Sequence, residues 1–149
     1  MADAAVKTKP SLTIKRRLAA PPEKVYAAWT DPEKLMHWFG PDPGEMISAE
    51  ADPRVGGRYH IVFRTLNDGE EHDVSGTYSD VVPNEKLTFT WMWRTMPERM
   101  SQVTITLKPD GDGTILTLFH EQFFDEAARD RHNTGWSGTM EKLARYLEA

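Results

Sequence analysis

Apolar residues recur with a period of two over the middle of the chain. Between Gly44 and Gln122 this alternation is interrupted by turn signals, which is typical of consecutive strands. It predicts six strands, at 45–51, 57–66, 71–82, 85–94, 101–109 and 114–122. The links among the last five are short, which favours antiparallel hairpins because parallel strands need long crossovers.

The segment before these strands predicts one further strand and two short helices. Leu12 and Ile14 alternate with polar residues in "SLTIKRRL", as in a strand with one wetter face. Prolines open two helical segments, "PPEKVYAAWT" and "DPEKLMHWFGP", and Asp31 is placed to cap the second. Residues 1–10 are small and polar, so we interpret them as a flexible leader before a single domain at 11–149.

Beyond Asp125, a candidate N-cap, the period changes to that of a long amphipathic helix. A step of about 100° per residue places Trp136, Thr139 and Leu143 on one face, and His132 shares that face. Two interior glycines interrupt it, although each costs about 1 kcal/mol relative to alanine. Gly135 lies at the edge of the apolar face, where we expect close approach to the sheet or to a bound molecule. No packing reason is evident for Gly138.

This order of elements predicts an α+β fold. Seven antiparallel strands and one amphipathic helix bury their apolar faces if the curved sheet wraps around the long C-terminal helix. The two short helices follow the first strand. No repeat or second hydrophobic pattern indicates another domain.

Composition narrows the classes of function. The 149 residues are 39% hydrophobic, enough for one sizeable core. The formal charge of −5, without a basic stripe, argues against a nucleic-acid partner. The absence of cysteine excludes disulfides, thiolate zinc sites and cysteine nucleophiles. No apolar run approaches the roughly 20 residues of a membrane span, and no signal-peptide core is present, so we expect a cytoplasmic protein.

Five motifs resemble one known family. They are "DPEKLMHWFGP", "DPRVGGRYHI", "GTYSDVVPNEKLTFTW", "LTLFHEQF" and "HNTGWSGTMEKLARYL". Together they are similar to the activator-of-heat-shock-ATPase-homologue family of the START-like, birch-pollen-allergen-like superfamily. The resemblance implies a helix-grip fold, often with an internal cavity. It also implies a stress-response context and a chaperone partner, since the eukaryotic namesakes stimulate the ATPase of a large heat-shock chaperone; those namesakes carry an additional N-terminal domain.

Aromatic residues on the strand and helix faces predict a cavity between sheet and helix. Such a mostly apolar concavity with a few polar groups is typical of small-molecule sites. Its candidate ligand-binding residues are Trp38, Phe39, Tyr59, Phe63, Tyr78, Phe89, Trp91, His120, His132, Trp136 and Met140. The alternative is that these side chains fill an ordinary core.

The histidines allow a catalytic alternative without specifying one. His132 could be a general base or a satisfied core residue, and no serine-hydrolase elbow accompanies it. His120 and Glu121 are adjacent in a strand and point to opposite faces, so we expect no metal site there and no cofactor. Arg58 or Arg64 could anchor a ligand carboxylate.

Three hypotheses follow. The first is binding of a small hydrophobic or amphipathic molecule between the sheet and the C-terminal helix. The second is a co-chaperone-like protein interaction module, which an exposed apolar patch would favour. The third is a cavity enzyme that uses a histidine as acid or base, which would need a polar cluster with perturbed pKa values.

An open seven-stranded sheet has two unpaired edges, and exposed edges favour pairing with a second copy. We therefore predict weak self-association as a homodimer. Sedimentation over a range of concentrations should show a mass that rises with concentration. A monomer at the highest concentration would contradict the prediction.

Overall fold

A curled antiparallel sheet of seven strands holds a long helix against its buried face. The structure is a computed structural model that describes residues 9–41 and 43–148. The predicted α+β, helix-grip architecture is confirmed. The predicted leader falls mostly on residues 1–8, which lie outside the described residues, so it stays a prediction.

The elements follow the predicted order, with bounds that differ from the prediction by about one residue. The strands are β1 (Leu12–Leu18), β2 (Gly44–Ala51), β3 (Arg58–Thr65), β4 (Glu71–Val82), β5 (Lys86–Trp93), β6 (Ser101–Asp110) and β7 (Gly113–Glu121). The helices are α1 (Pro22–Thr30), α2 (Pro32–Trp38) and α3 (Glu126–Glu148). A short 3₁₀ helix at Pro97–Arg99, between β5 and β6, was not predicted.

The sheet order is β1-β7-β6-β5-β4-β3-β2, and every neighbouring pair is antiparallel. Strands β2 to β7 form a meander, because each is joined to the next by a short link. Strand β1 lies beside β7, so β1 and β2 are the two edges. The chain between these edges contains α1 and α2, which therefore connect opposite sides of the sheet.

Local chemistry explains where the helices begin. Asp31 Oδ1 accepts a hydrogen bond from the Glu33 amide at 2.9 Å, and Asp125 Oδ1 accepts one from the Ala128 amide at 2.8 Å. Each carboxylate satisfies an amide that has no partner inside its helix. The predicted caps at Asp31 and Asp125 are thus confirmed. Strand β7 ends before Gln122, whose positive φ of 71° turns the backbone out of the extended conformation.

The core lies between the buried face of the sheet and α3. Alternate residues of the central strands point into it, as the period of two predicts, and Trp136 of α3 is 4% exposed. Trp136 contacts Trp91 of β5, with ring centroids 5.1 Å apart, and Trp29 of α1 at 6.1 Å. The Trp136 indole therefore packs α3 against both the sheet and α1.

The sequence predicts that the backbone at Gly135 approaches the sheet closely, and this prediction is wrong. A Cβ atom added there would meet no heavy atom within 4 Å. Gly76 of β4 is the position where close approach occurs, since a Cβ there would lie 1.9 Å from the Thr90 carbonyl oxygen of β5. Gly135 instead has open space beside it.

Within the part of the chain that the structure describes, no helix is both long enough and apolar enough to cross a membrane. Across residues 9–41 and 43–148, no three histidine or acidic side chains are grouped so that they could hold a metal ion.

Replacement of Trp136 by alanine should lower the free energy of unfolding by about 3–5 kcal/mol, because it removes buried ring area and leaves a cavity. Chemical denaturation measures the change. Leu66→Ala is the control, since Leu66 is 55% exposed in the turn after β3 and should change stability by no more than about 0.5 kcal/mol. Equal midpoints for the two variants would contradict the central packing of Trp136.

Candidate ligand cavity

A cavity of about 670 Å³ lies between α3 and one end of strands β3, β4 and β5. Its walls are mostly rings, contributed by Phe39, Phe63, Trp91, Trp93, His132 and Trp136. Two flexible or aliphatic side chains, Met96 and Pro41, complete the apolar lining. The central strands position the rings because alternate residues of each strand face α3.

Charged and polar groups surround the mouth of the cavity. They are Thr65, Glu70, Glu71, His72, Asp73, Arg94, Thr95 and Arg131, most of them exposed or half-buried. Asp73 Oδ1 accepts a hydrogen bond from His60 Nε2 at 2.9 Å, and its other oxygen lies 3.7 Å from Arg94 Nε. The cavity therefore combines an aromatic interior with an opening that carries charges of both signs.

Arg64 and Arg58 are not among the lining residues. The Arg64 guanidinium lies between the carboxylates of Glu45 and Glu71, and each of its terminal nitrogens is paired with one of them. The arginines at the cavity mouth are Arg94 and Arg131, which the strand pattern did not single out.

Two histidines, His132 in the cavity wall and His120 behind it, accept hydrogen bonds from indoles. Trp136 Nε1 of α3 donates to His120 Nδ1 of β7 at 3.0 Å, and Trp93 Nε1 of β5 donates to His132 Nε2 of α3 at 3.0 Å. Because an indole N–H can only donate, each accepting ring nitrogen must carry a lone pair. Each bond joins the helix to the sheet.

The second nitrogen of each imidazole then carries the proton. His120 Nε2 donates to the Ser101 hydroxyl at 2.7 Å, and His132 Nδ1 donates to the Ala128 carbonyl at 2.7 Å. Both rings are therefore neutral, with opposite tautomers. Burial lowers the pKa of His120 well below its usual value, and burial also lowers the pKa of His132.

The wall next to α2 is held by side chains of α3. The Thr139 hydroxyl donates to the Gly40 carbonyl at 3.0 Å, and Lys142 Nζ approaches the carbonyl oxygens of Phe39, Gly40 and Pro41 at 3.2–3.4 Å. These carbonyls follow the C-terminus of α2, where a cation is favourable because of the helix dipole. Sequence periodicity placed Thr139 on the buried face, but these long-range partners left no local signal.

The eleven candidate residues divide into two groups in space. Phe39, Phe63, Trp91, His132 and Trp136 line the cavity. The other six lie away from its walls, in the core: Trp38, Tyr59, Tyr78, Phe89, His120 and Met140. Trp38 donates its indole N–H to the Ala28 carbonyl at 3.0 Å, which ties α2 to α1.

Tyr59, Tyr78 and Phe89 form a separate aromatic cluster with ring centroids 5.2–5.9 Å apart. They lie on the same strands as the cavity but toward the opposite ends. Burial raises the pKa of the Tyr59 and Tyr78 hydroxyls, so both stay protonated at neutral pH. This end of the sheet is filled by side chains.

Comparison with known proteins assigns the chain to a family. Residues 19–148 match the family described as Activator of Hsp90 ATPase homolog 1-like protein. The chain belongs to this family. The match spans the helices, the cavity walls and six of the seven strands, and the family lies within the START-like superfamily.

Solved members of this fold are closely similar along nearly the whole chain. A protein from Chromobacterium violaceum is 31% identical with a TM-score of 0.84, over 94% of this chain and 99% of that one. The AHSA1 protein from Silicibacter pomeroyi is 30% identical with a TM-score of 0.82, over 93% of this chain and 98% of that one.

A curated relative is much longer. The human protein named Activator of 90 kDa heat shock protein ATPase homolog 1 is 28% identical over 126 residues, which are 84% of this chain. The mouse protein of the same name is 27% identical over the same span. The chain spans about a third of the length of these curated relatives.

The histidine pairs predict a specific pH dependence of stability in this family member. The folded state keeps both imidazoles neutral, while the unfolded chain takes up protons below about pH 6.5. Stability should therefore be full above about pH 6.5 and fall as the pH decreases below it, by up to about 1.4 kcal/mol per pH unit for each histidine. Denaturation midpoints between pH 7 and pH 5 measure this slope.

His120→Gln should reduce the slope, because the variant has no imidazole to protonate at that position. His37→Gln is the control, since His37 is exposed and stacks on Tyr146 away from the cavity. A slope that His120→Gln leaves unchanged would contradict the assignment.

Proposed function

We propose that this protein binds a small hydrophobic or amphipathic molecule in the cavity between the sheet and α3. The observation that carries the proposal is the ring-lined volume of about 670 Å³ beneath a charged mouth. Ligand sites commonly have volumes of about 300–1,000 Å³, apolar walls and a few polar groups.

The walls favour a preformed site. Phe39 and Trp136 meet edge to face, with centroids 5.8 Å apart and planes at 89°, and Trp91 meets Trp93 at 5.4 Å and 88°. Such contacts, with the indole–imidazole bonds behind them, hold the rings in place without a ligand. A preformed site loses little conformational entropy when a molecule enters.

The charged mouth favours an amphipathic ligand. Among the described residues the Arg131 side chain has no hydrogen bond or ion pair, whereas Asp73 contacts His60 and Arg94. A polar head at the opening would keep its hydration and could contact Arg131, while the apolar part occupies the ring-lined interior.

Acid–base catalysis is a weaker candidate. A general base needs a lone pair that faces the substrate. Both ring nitrogens of His120 and of His132 already have partners at 2.7–3.0 Å. Protonation of either accepting nitrogen would break an indole hydrogen bond between α3 and the sheet, so these histidines are better suited to a structural role.

A second candidate, a co-chaperone-like role, rests on the 28% identity to the human ATPase activator. Exposed apolar side chains that could contribute to such an interface include Val55, Leu66 and Phe124. Val55 lies in the loop before β3, and Leu66 comes directly after β3. The two side chains are therefore at opposite ends of this strand and do not form one patch. This distribution gives the second candidate less support than the cavity gives the first.

Ligand binding should change the tryptophan fluorescence, because Trp91, Trp93 and Trp136 line the cavity and would exchange water for ligand. Native mass spectrometry of freshly purified protein should also reveal a copurifying small molecule. The titration uses dodecanoate, 2-anthracenecarboxylate and 1-anilinonaphthalene-8-sulfonate. No copurifying mass and no fluorescence change with any probe would overturn the proposal.

If the second candidate holds instead, addition of this chain should raise the ATPase rate of a 90 kDa heat shock protein. A coupled phosphate-release assay measures the rate, with heat-denatured chain as the control. An unchanged rate at saturating chain would exclude the activator role.

A further inference from the structure

Gly135 lies in the interior of α3 and lines the cavity between Arg131 and Thr139, which are one helical turn away on either side. A glycine at such a position is unfavourable because its backbone loses more freedom on folding than that of alanine. Nothing in the packing requires it, since an added Cβ would meet no heavy atom within 4 Å.

Gly138 provides an internal comparison. It lies in the same helix, and a Cβ added there would likewise meet nothing within 4 Å. It is not among the residues that line the cavity. The two glycines therefore share their helical environment and differ in whether a side chain would occupy the cavity.

We infer that Gly135 determines which ligands fit, because its missing side chain leaves room for a planar ring compound against α3. The inference rests on the proposed function and adds a ligand class to it. At this position the backbone of α3 forms the cavity wall. A side chain at position 135 would project from that wall, between Arg131 and Thr139, into the space that a ligand uses.

The choice of a planar ring compound as the ligand class follows from the residues that form the cavity walls. Seven of the lining side chains carry aromatic or imidazole rings, and Met96 contributes a long flexible apolar side chain to the lining. Rings offer stacked and edge-to-face contacts to a planar aromatic ligand, which add to the burial of its area. An aliphatic chain in the same space gains only from the burial of its area, without such ring contacts.

The test compares two probes that carry the same carboxylate, planar 2-anthracenecarboxylate and aliphatic dodecanoate. Dissociation constants come from calorimetric titration of the full chain. We expect the wild type to bind the ring compound more tightly. Gly135→Leu should weaken that binding by about tenfold or more, because the new side chain takes space that the ligand uses.

Gly138→Leu is the matched control and should leave the dissociation constant unchanged. Gly135→Ala and Gly138→Ala should both raise the Tm by about 2–4 °C, since alanine favours the helix and neither Cβ meets a neighbour. The Tm of Gly135→Leu, compared with that of Gly138→Leu, separates lost binding from a damaged fold.

Each result has a distinct meaning. If Gly135→Leu binds 2-anthracenecarboxylate as the wild type does, the role of Gly135 is overturned while the proposed function stands. If the wild type prefers dodecanoate, the ring class is overturned. If the folded wild type binds neither of these two probes nor 1-anilinonaphthalene-8-sulfonate, and no small molecule copurifies with it, the proposed function fails and the inference fails with it.

Discussion

Two indole–imidazole hydrogen bonds between α3 and the sheet are the interaction on which the rest of the structure depends. A buried donor without an acceptor costs about 1–3 kcal/mol. Among the described residues the indole N–H groups of Trp29 and Trp91 are buried without a partner, whereas those of the half-buried Trp93 and the buried Trp136 each have an acceptor. Histidines supply both acceptors, at 3.0 Å. One bond runs from the helix to β7 and the other from β5 to the helix, so together they set the position of α3 on the sheet.

The position of α3 determines which part of the concave face remains open. Toward one end of β3, β4 and β5, the rings of Tyr59, Tyr78 and Phe89 pack against one another. Toward the other end, the rings surround a cavity that extends to Gly135. Thr139 and Lys142 hold the loop after α2 against the helix, which keeps the wall at Phe39 in place.

The fold and the family constrain function without specifying the ligand. The relatives share the architecture over nearly the whole chain, yet one fold of this kind supports several activities. The distinguishing chemistry is therefore in the cavity of this chain: ring walls that include the neutral His132, a second neutral histidine behind them, and two arginines at the mouth. These features favour binding over proton transfer, because the imidazole nitrogens are committed to the core.

The sequence by itself determined the element order, the strand faces, the caps at Asp31 and Asp125, and the burial of Trp136. Each of these features depends on residues that are close together along the chain, so the hydrophobic period and the capping residues are enough to predict it. Alternation also placed Tyr59 and Phe63 on one face of β3, but it does not show which end of the strand lies beside the cavity. Only the tertiary structure decided that Phe63 lines a cavity while Tyr59 fills the core, and that Gly135 borders open space, because both depend on where α3 crosses strands distant in sequence.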